Sequence, residues 1–405
     1  MGTDETPPAK APLREALTPA EVAAAGDLTR RWLTSRTELP AVASGLGVWP
    51  LLAVLATGAD GATRDELLAA AGVDETRAAS ITGALLAAAA NAPALGFALA
   101  VWAGGHLTLD PDWTAGLPGG AVGSLTGDRA ADKAALDAWA AEHTGGLIDT
   151  MPLDFSQPID LVLASALSVR TTWNTPFRDL ETAFRSGPWS GLRRCRTLTT
   201  TLGEDLLRVG EDASVLTVPG DGDIDVLLAL GREDLTPHAV MDALLDAASD
   251  PAWGRSSTEL AVGERAVGVE VTEYLGARPQ TGPELDVQTV RFRLDADLDL
   301  TEDAAALGLV DACDADRARF DRLAAQPVYV SQAKQACTAV FSATGFEAAA
   351  VTAIAMVRAA SMASKPKHRR VKTSIRFDRP FAYLARHRPT GLVLIGGWVA
   401  EPERA

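Results

Sequence analysis

Five histidines are the first place to look for catalysis in this chain of 405 residues, and they are scattered: His106, His143, His238, His368 and His387. None stands in a Gly-x-Ser-x-Gly, His-Glu-x-x-His or mixed Cys/His pattern, the spacings that set a base beside a nucleophile or a metal. Cys195, Cys313 and Cys337 lack metal-ligand spacing. An odd count in apolar or mixed surroundings reads as small buried thiols in a reducing compartment. Asp295-Ala296-Asp297-Leu298-Asp299 alternates with apolar residues but has neither the Gly nor the terminal Glu of a calcium loop, so it reads as the wet face or end of a strand. Gly220-Asp221-Gly222-Asp223 reads as a tight turn, without the Lys of a phosphate loop or the spacing of a dinucleotide fingerprint. The expectation is therefore no catalytic residue, no metal, no cofactor and no enzyme.

A different chemistry, that of a substrate, is written in residues 344–391. Thr344-Gly345-Phe346-Glu347-Ala348-Ala349-Ala350-Val351-Thr352-Ala353 is a run of mostly small residues. A basic stretch, Lys365-Pro366-Lys367-His368-Arg369-Arg370-Val371-Lys372, follows. Then come Phe377-Asp378-Arg379-Pro380-Phe381 and Thr390-Gly391-Leu392-Val393-Leu394. Taken alone, Glu-Ala-Ala-Ala is a helix former. The order of the pieces instead resembles the serpin family: a Gly-x-Glu-Ala-Ala-Ala hinge, an exposed reactive-centre loop, a Phe-x-x-Pro-Phe signature and a terminal Thr-Gly-x-x-Leu strand. Further pieces fall in the family's order, among them Leu52-Ala53-Val54-Leu55 to Gly58-Ala59-Asp60-Gly61, Leu136-Asp137-Ala138-Trp139 with Thr144-Gly145-Gly146, Leu161–Ala166 leading to Trp173 and Phe177, and Leu307-Gly308-Leu309-Val310-Asp311-Ala312. The Ala, Arg and Gly bias points to a divergent, bacterial-type member.

The resemblance implies an inhibitor of serine-type proteases that works as a suicide substrate. The protease cleaves the loop, forms an acyl-enzyme and is trapped as the loop inserts into the central sheet. Family spacing from Gly345 puts the reactive bond at Ala359-Ala360, with Arg358 one residue before it. An Ala bait suits an elastase- or subtilisin-like pocket; cleavage after Arg358 suits a trypsin-like one. An inserting strand must alternate. Phe346, Ala348, Ala350 and Thr352 then share one face, and Gly345, Glu347 and Ala349 the other. Proline is absent from 344–365, as a central strand requires. Phe346 stands where the family's inhibitory hinges carry a small residue, and burying it there on insertion should cost about 1–3 kcal/mol by overpacking. The sheet-opening region departs as well. Gly47 and Pro50 stand at usual Ser positions, Ser165 at the usual Asn and Gln335 at the usual His, while Trp173 is retained. These departures support a second expectation, a non-inhibitory scaffold that binds a peptide, small molecule or protein. The basic stretch 365–372 reads as a solvated loop or as an exosite for an acidic protease surface or polyanion.

The elements that must position these residues read as α+β, with helices early and strands late, around one large central sheet. A tail over 1–15 is expected to be disordered, followed by a single domain over 16–402 with the loop at about 345–375. Thr18, Pro19 and Glu21 form a capped helix start. Strands are expected near 97–103, 160–170, 215–218, 224–230, 288–294 and 328–341, and helices near 50–57, 63–72, 131–143, 237–248 and 301–308. A formal charge of −16 opposes nucleic acid and anionic membranes. The apolar tract 82–101 is broken by Asn91, Pro93 and Gly96, so it is not a span. The reading is a monomer, cytoplasmic by its lack of a signal-like N-terminus, or extracellular if a signal is missing from the sequence.

Overall fold

Thr18 and Glu21 cap one another: the Thr18 amide donates to Glu21 Oε2 at 2.7 Å, and the Glu21 amide to Thr18 Oγ1 at 3.3 Å. This reciprocal pair starts the helix Pro19–Ser35. Burial alone would raise the Glu21 pKa, but the hydrogen bond and charge of Arg77 hold it below the ordinary carboxylate range. A computed structural model describes residues 12–119, 121–156, 159–185, 187–346 and 367–405. Leu13–Ala16, expected as part of a disordered tail, is a helical turn with Leu13 and Ala16 buried.

The described residues form two compact units, each drawn from several stretches of chain. One comprises residues up to Ser35, Ser44–Ser168 and Asp297–Cys337; the other comprises Arg36–Ala43, Val169–Ala296 and Thr338 onward. A single domain over 16–402 is expected from the sequence. The chain passes between the two units several times.

In the first unit, helix Gly45–Gly58 is buried along nearly its whole length. Its sequence is apolar on every face, as a core helix requires. It begins earlier than expected because the Ser44 hydroxyl accepts the Gly47 amide at 3.1 Å and caps it. Helices Gly61–Ala71, Glu75–Ala89 and Arg129–Thr144 follow in the chain. The tract 82–101 is the end of one helix, a turn and the strand Leu95–Ala103. No helix among the described residues is long and apolar enough to cross a membrane. Strand Leu161–Val169, buried throughout, pairs in parallel with Val330–Phe341 from Leu161 opposite Val330 to Ala166 opposite Ala336.

The second unit holds two six-stranded sheets. One runs in the order Arg255–Ser256, Leu207–Val209, Ala213–Pro219, Ile224–Gly231, Phe381–His387, Val393–Val399. The other runs Arg265–Ala266, Val269–Gly276, His368–Arg376, Leu285–Val290, Cys195–Leu202, Arg178–Thr182. His368–Arg376 is thus a strand paired on both sides, not the end of a loop reaching 375. Three of its cations are met by acids on the neighbouring strands and turns. Arg370 reaches Glu284 at 2.7 Å, Lys372 reaches Asp286 at 2.9 Å and Arg369 reaches Glu273 at 3.4 Å. The part of the basic stretch within 368–372 is therefore neither solvated loop nor free positive exosite.

Candidate functional site

Strand Val330–Phe341 ends at Phe341, and the chain turns back at once. Gly345–Phe346 pairs with it antiparallel, Phe346 opposite Phe341. Ser342 closes this turn: its amide donates to Gly345 O at 2.9 Å and its hydroxyl to the same carbonyl at 3.0 Å. On its other edge the short strand pairs with Thr171–Thr172. The approach there is so close that a Cβ on Gly345 would lie 2.2 Å from Thr171 O, so this position needs glycine. Three more donors hold the turn. Trp173 gives its amide to Thr344 O and its indole N–H to Ser342 O, both at 2.9 Å, and the Phe177 amide donates to Ala343 O at 2.8 Å. Trp173 therefore acts on the hinge.

Phe346 is 2% exposed, with its ring 6.3 Å from that of Tyr383. Phe341 beside it packs on Trp173 at 4.7 Å, Phe177 at 5.7 Å and Phe292 at 5.4 Å. An overpacking penalty on insertion is expected for Phe346 from the sequence. Here its site exists, and is filled, in the uncleaved chain. The other hinge residues, Glu347, Ala348, Ala349, Ala350 and Thr352, and the bond residues Arg358, Ala359 and Ala360, lie outside the described residues.

A polar latch in the first unit gathers Gly47, Ser165 and Gln335. Gln335 is 1% exposed and stands opposite Ser165 across the parallel strand pair. Its Oε1 accepts the Ser44 amide and its Nε2 donates to the Ser44 carbonyl, both at 2.9 Å. Ser165 Oγ is only at the edge of reach, 3.5 Å from Nε2. The Cys337 thiol donates to Gln335 Oε1 at 3.2 Å. Gly47 and Gln335 are complementary, because a Cβ on Gly47 would come 2.7 Å from Gln335 Nε2. A position without a side chain makes room for a longer one. Pro50 is turned elsewhere, its carbonyl accepting Thr82 Oγ1 at 3.2 Å. Ser44 itself was not singled out as a latch residue by sequence reasoning. Its place before Gly45, at a helix N-cap, is the signal that could have found it. Tyr383 and Phe341 carry no such signal.

Four of the five histidines have structural partners: His106 with Asp160, His143 with Trp139 O, His238 with Arg36 O and His387 with Thr390. The three cysteines are free. Burial, with a smaller contribution from Asp297, pushes the Cys337 thiol up to about 12, and burial with Glu66 and Asp299 does the same for Cys313. Such thiols are protonated and poor nucleophiles. No group of three or more His, Cys, Asp and Glu among the described residues could hold a metal ion.

The described residues form an α+β fold of three sheets, with a hinge that doubles back beside a long strand. The family profile described as "Serpin (serine protease inhibitor)" matches residues 21–186 and 266–402, and the chain belongs to the serpin family. It is 28% identical to a putative serpin-Z6C of Oryza sativa subsp. japonica, over 89% of this chain and 90% of that one. It is 27% identical to plasminogen activator inhibitor 1 of Sus scrofa over 66% of this chain, spanning 61% of that protein's length. The fold matches the native state of the thermophilic serpin tengpin with a TM-score of 0.71 at 16% identity, over 94% of each chain. The curated relatives come from a plant and a mammal and lend the bacterial reading of the composition no support.

Proposed function

We infer that this chain inhibits a serine-type protease as a suicide substrate, by cleavage of the loop after Phe346 and its insertion as a strand. The observation that carries this reading is the hinge. Gly345–Phe346 already lies as a strand between Val330–Phe341 and Thr171–Thr172, antiparallel to both. Residues 347–358 would continue that strand along Val330–Phe341. The pairs from Leu161/Val330 to Ala166/Ala336 must part to admit it. Gln335 stands within that ladder and ties it to Ser44, so the latch sets the resistance to opening. The reactive bond is Ala359-Ala360, with small-residue proteases as first targets and trypsin-like ones cutting after Arg358.

Cleavage tests this through stability. A new central strand adds on the order of ten ladder hydrogen bonds at roughly 1 kcal/mol each. That corresponds to a rise of about 10 °C or more in melting temperature. An unchanged or lower melting temperature after a single cut at Ala359-Ala360 contradicts insertion.

A further inference from the structure

Cations in this chain are outnumbered by acids, 37 to 53, so an arginine ordinarily finds a carboxylate. Several in the second unit do not, and three of these line the same part of one sheet. Arg178, Arg185 and Arg376 are exposed and have no side-chain hydrogen bond or ion pair among the described residues. Two adjoining hollows, of about 440 and 350 Å³, are lined by them and share Gln288 and Arg376.

The register explains the grouping. Arg178 stands opposite Thr199, Thr199 opposite Gln288, and Gln288 opposite Arg376. These four residues make one row across four strands. At about 4.8 Å per strand the two arginine backbones lie roughly 14 Å apart, within converging reach of two long side chains. Between them the Gln288 amide and the Ser374 hydroxyl are also without side-chain partners among the described residues, and the buried Thr199 hydroxyl has none. The acids at the margin are already engaged: Asp286 by Lys372 and Thr201, Asp378 by Arg379. What remains free is an excess of donors and about three positive charges.

We propose that this face of the sheet is a binding site for a small polyanion, a molecule carrying two or more phosphate or carboxylate groups. Guanidinium forks at both ends of the row match such groups bidentately, and the Gln and Ser donors serve the middle. The proposal is independent of the reading of the loop.

Titration calorimetry with inorganic pyrophosphate, at fixed ionic strength, tests it on the full chain. The expected result is saturable one-to-one binding, tighter than that of inorganic phosphate. Arg376→Gln, which touches both hollows, should weaken it about tenfold, and Arg178→Gln or Arg185→Gln about three- to tenfold. Arg255→Gln, whose arginine pairs with Glu264, should leave it unchanged. Arg376→Lys should bind between wild type and Arg376→Gln. All of these side chains are exposed, so folding is preserved, and a circular dichroism spectrum confirms it. Absence of saturation, equal loss in Arg255→Gln, or binding of an acidic peptide but not of pyrophosphate would overturn the proposal.

Discussion

Replacing Phe346 with Ala should undock the hinge without unfolding the molecule. Phe346 is 2% exposed, and fully burying a Phe side chain contributes roughly 1.5–3 kcal/mol. The short strand Gly345–Phe346 and its turn are otherwise held by hydrogen bonds of Ser342, Trp173 and Phe177, so the loss falls on its docking equilibrium. At about 1.4 kcal/mol per decade, the undocked fraction should rise about 10- to 100-fold. Two amides report on it. Trp173 N donates to Thr344 O at 2.9 Å and Phe177 N to Ala343 O at 2.8 Å, and both bonds break when the turn leaves. Hydrogen exchange followed by mass spectrometry of a peptide covering 171–178 should quicken by that factor, while a peptide covering 161–166 keeps its protection. Unchanged exchange at Trp173 and Phe177 would show that Phe346 does not anchor the hinge, and the role assigned to it would fail.

Gln335→Ala removes the side-chain hydrogen bonds to the Ser44 amide and carbonyl, of which the carbonyl keeps the Gly47 amide, and should lower unfolding stability by about 1–3 kcal/mol in urea titrations. Gly47→Ser forces a Cβ to within 2.7 Å of Gln335 Nε2 and should also destabilise; combined with Gln335→Ala, the two effects should be clearly less than additive. His387 is held below the usual histidine pKa by burial, opposed by Asp223 and reinforced by Arg388. The unfolded chain therefore takes up a proton near pH 6.5 that the folded chain refuses, and stability should fall from pH 7.5 to 5.5, a slope that His387→Gln should flatten. Trypsin should cut after Arg358 but not after Arg370, whose strand is paired on both sides, as mapped by the mass of the released C-terminal peptide.

Much of this fold is legible in the chain, because its signals are local. Thr18 and Glu21 announce a capped helix, and the apolar run Leu161–Val169 a buried strand. Val330–Phe341, a strand of mixed polarity, is found as well. What escapes is what depends on partners far away in sequence. His368–Arg376 reads as a solvated basic stretch, because the acids that neutralise it, Glu273, Glu284 and Asp286, lie about a hundred residues earlier. Val269–Gly276 is exposed at Glu270, Glu273 and Leu275, and its charged residues mask it as a strand. The hinge glycine and Trp173 are visible as motif positions, but not the contact that each one makes. The latch was harder still: Gly47 and Gln335 look like two separate losses until their side-chain volumes are seen to compensate.

The central claim is that the protease is trapped, not merely fed a substrate. Mixing the chain with an elastase- or subtilisin-like serine protease, then running denaturing electrophoresis with mass spectrometry, addresses it directly. Trapping predicts a covalent band that survives SDS, with the mass of the protease plus this chain truncated at Ala359, and release of the peptide beginning at Ala360. Complete cleavage at that bond by active protease, with no such band at any ratio, would contradict it.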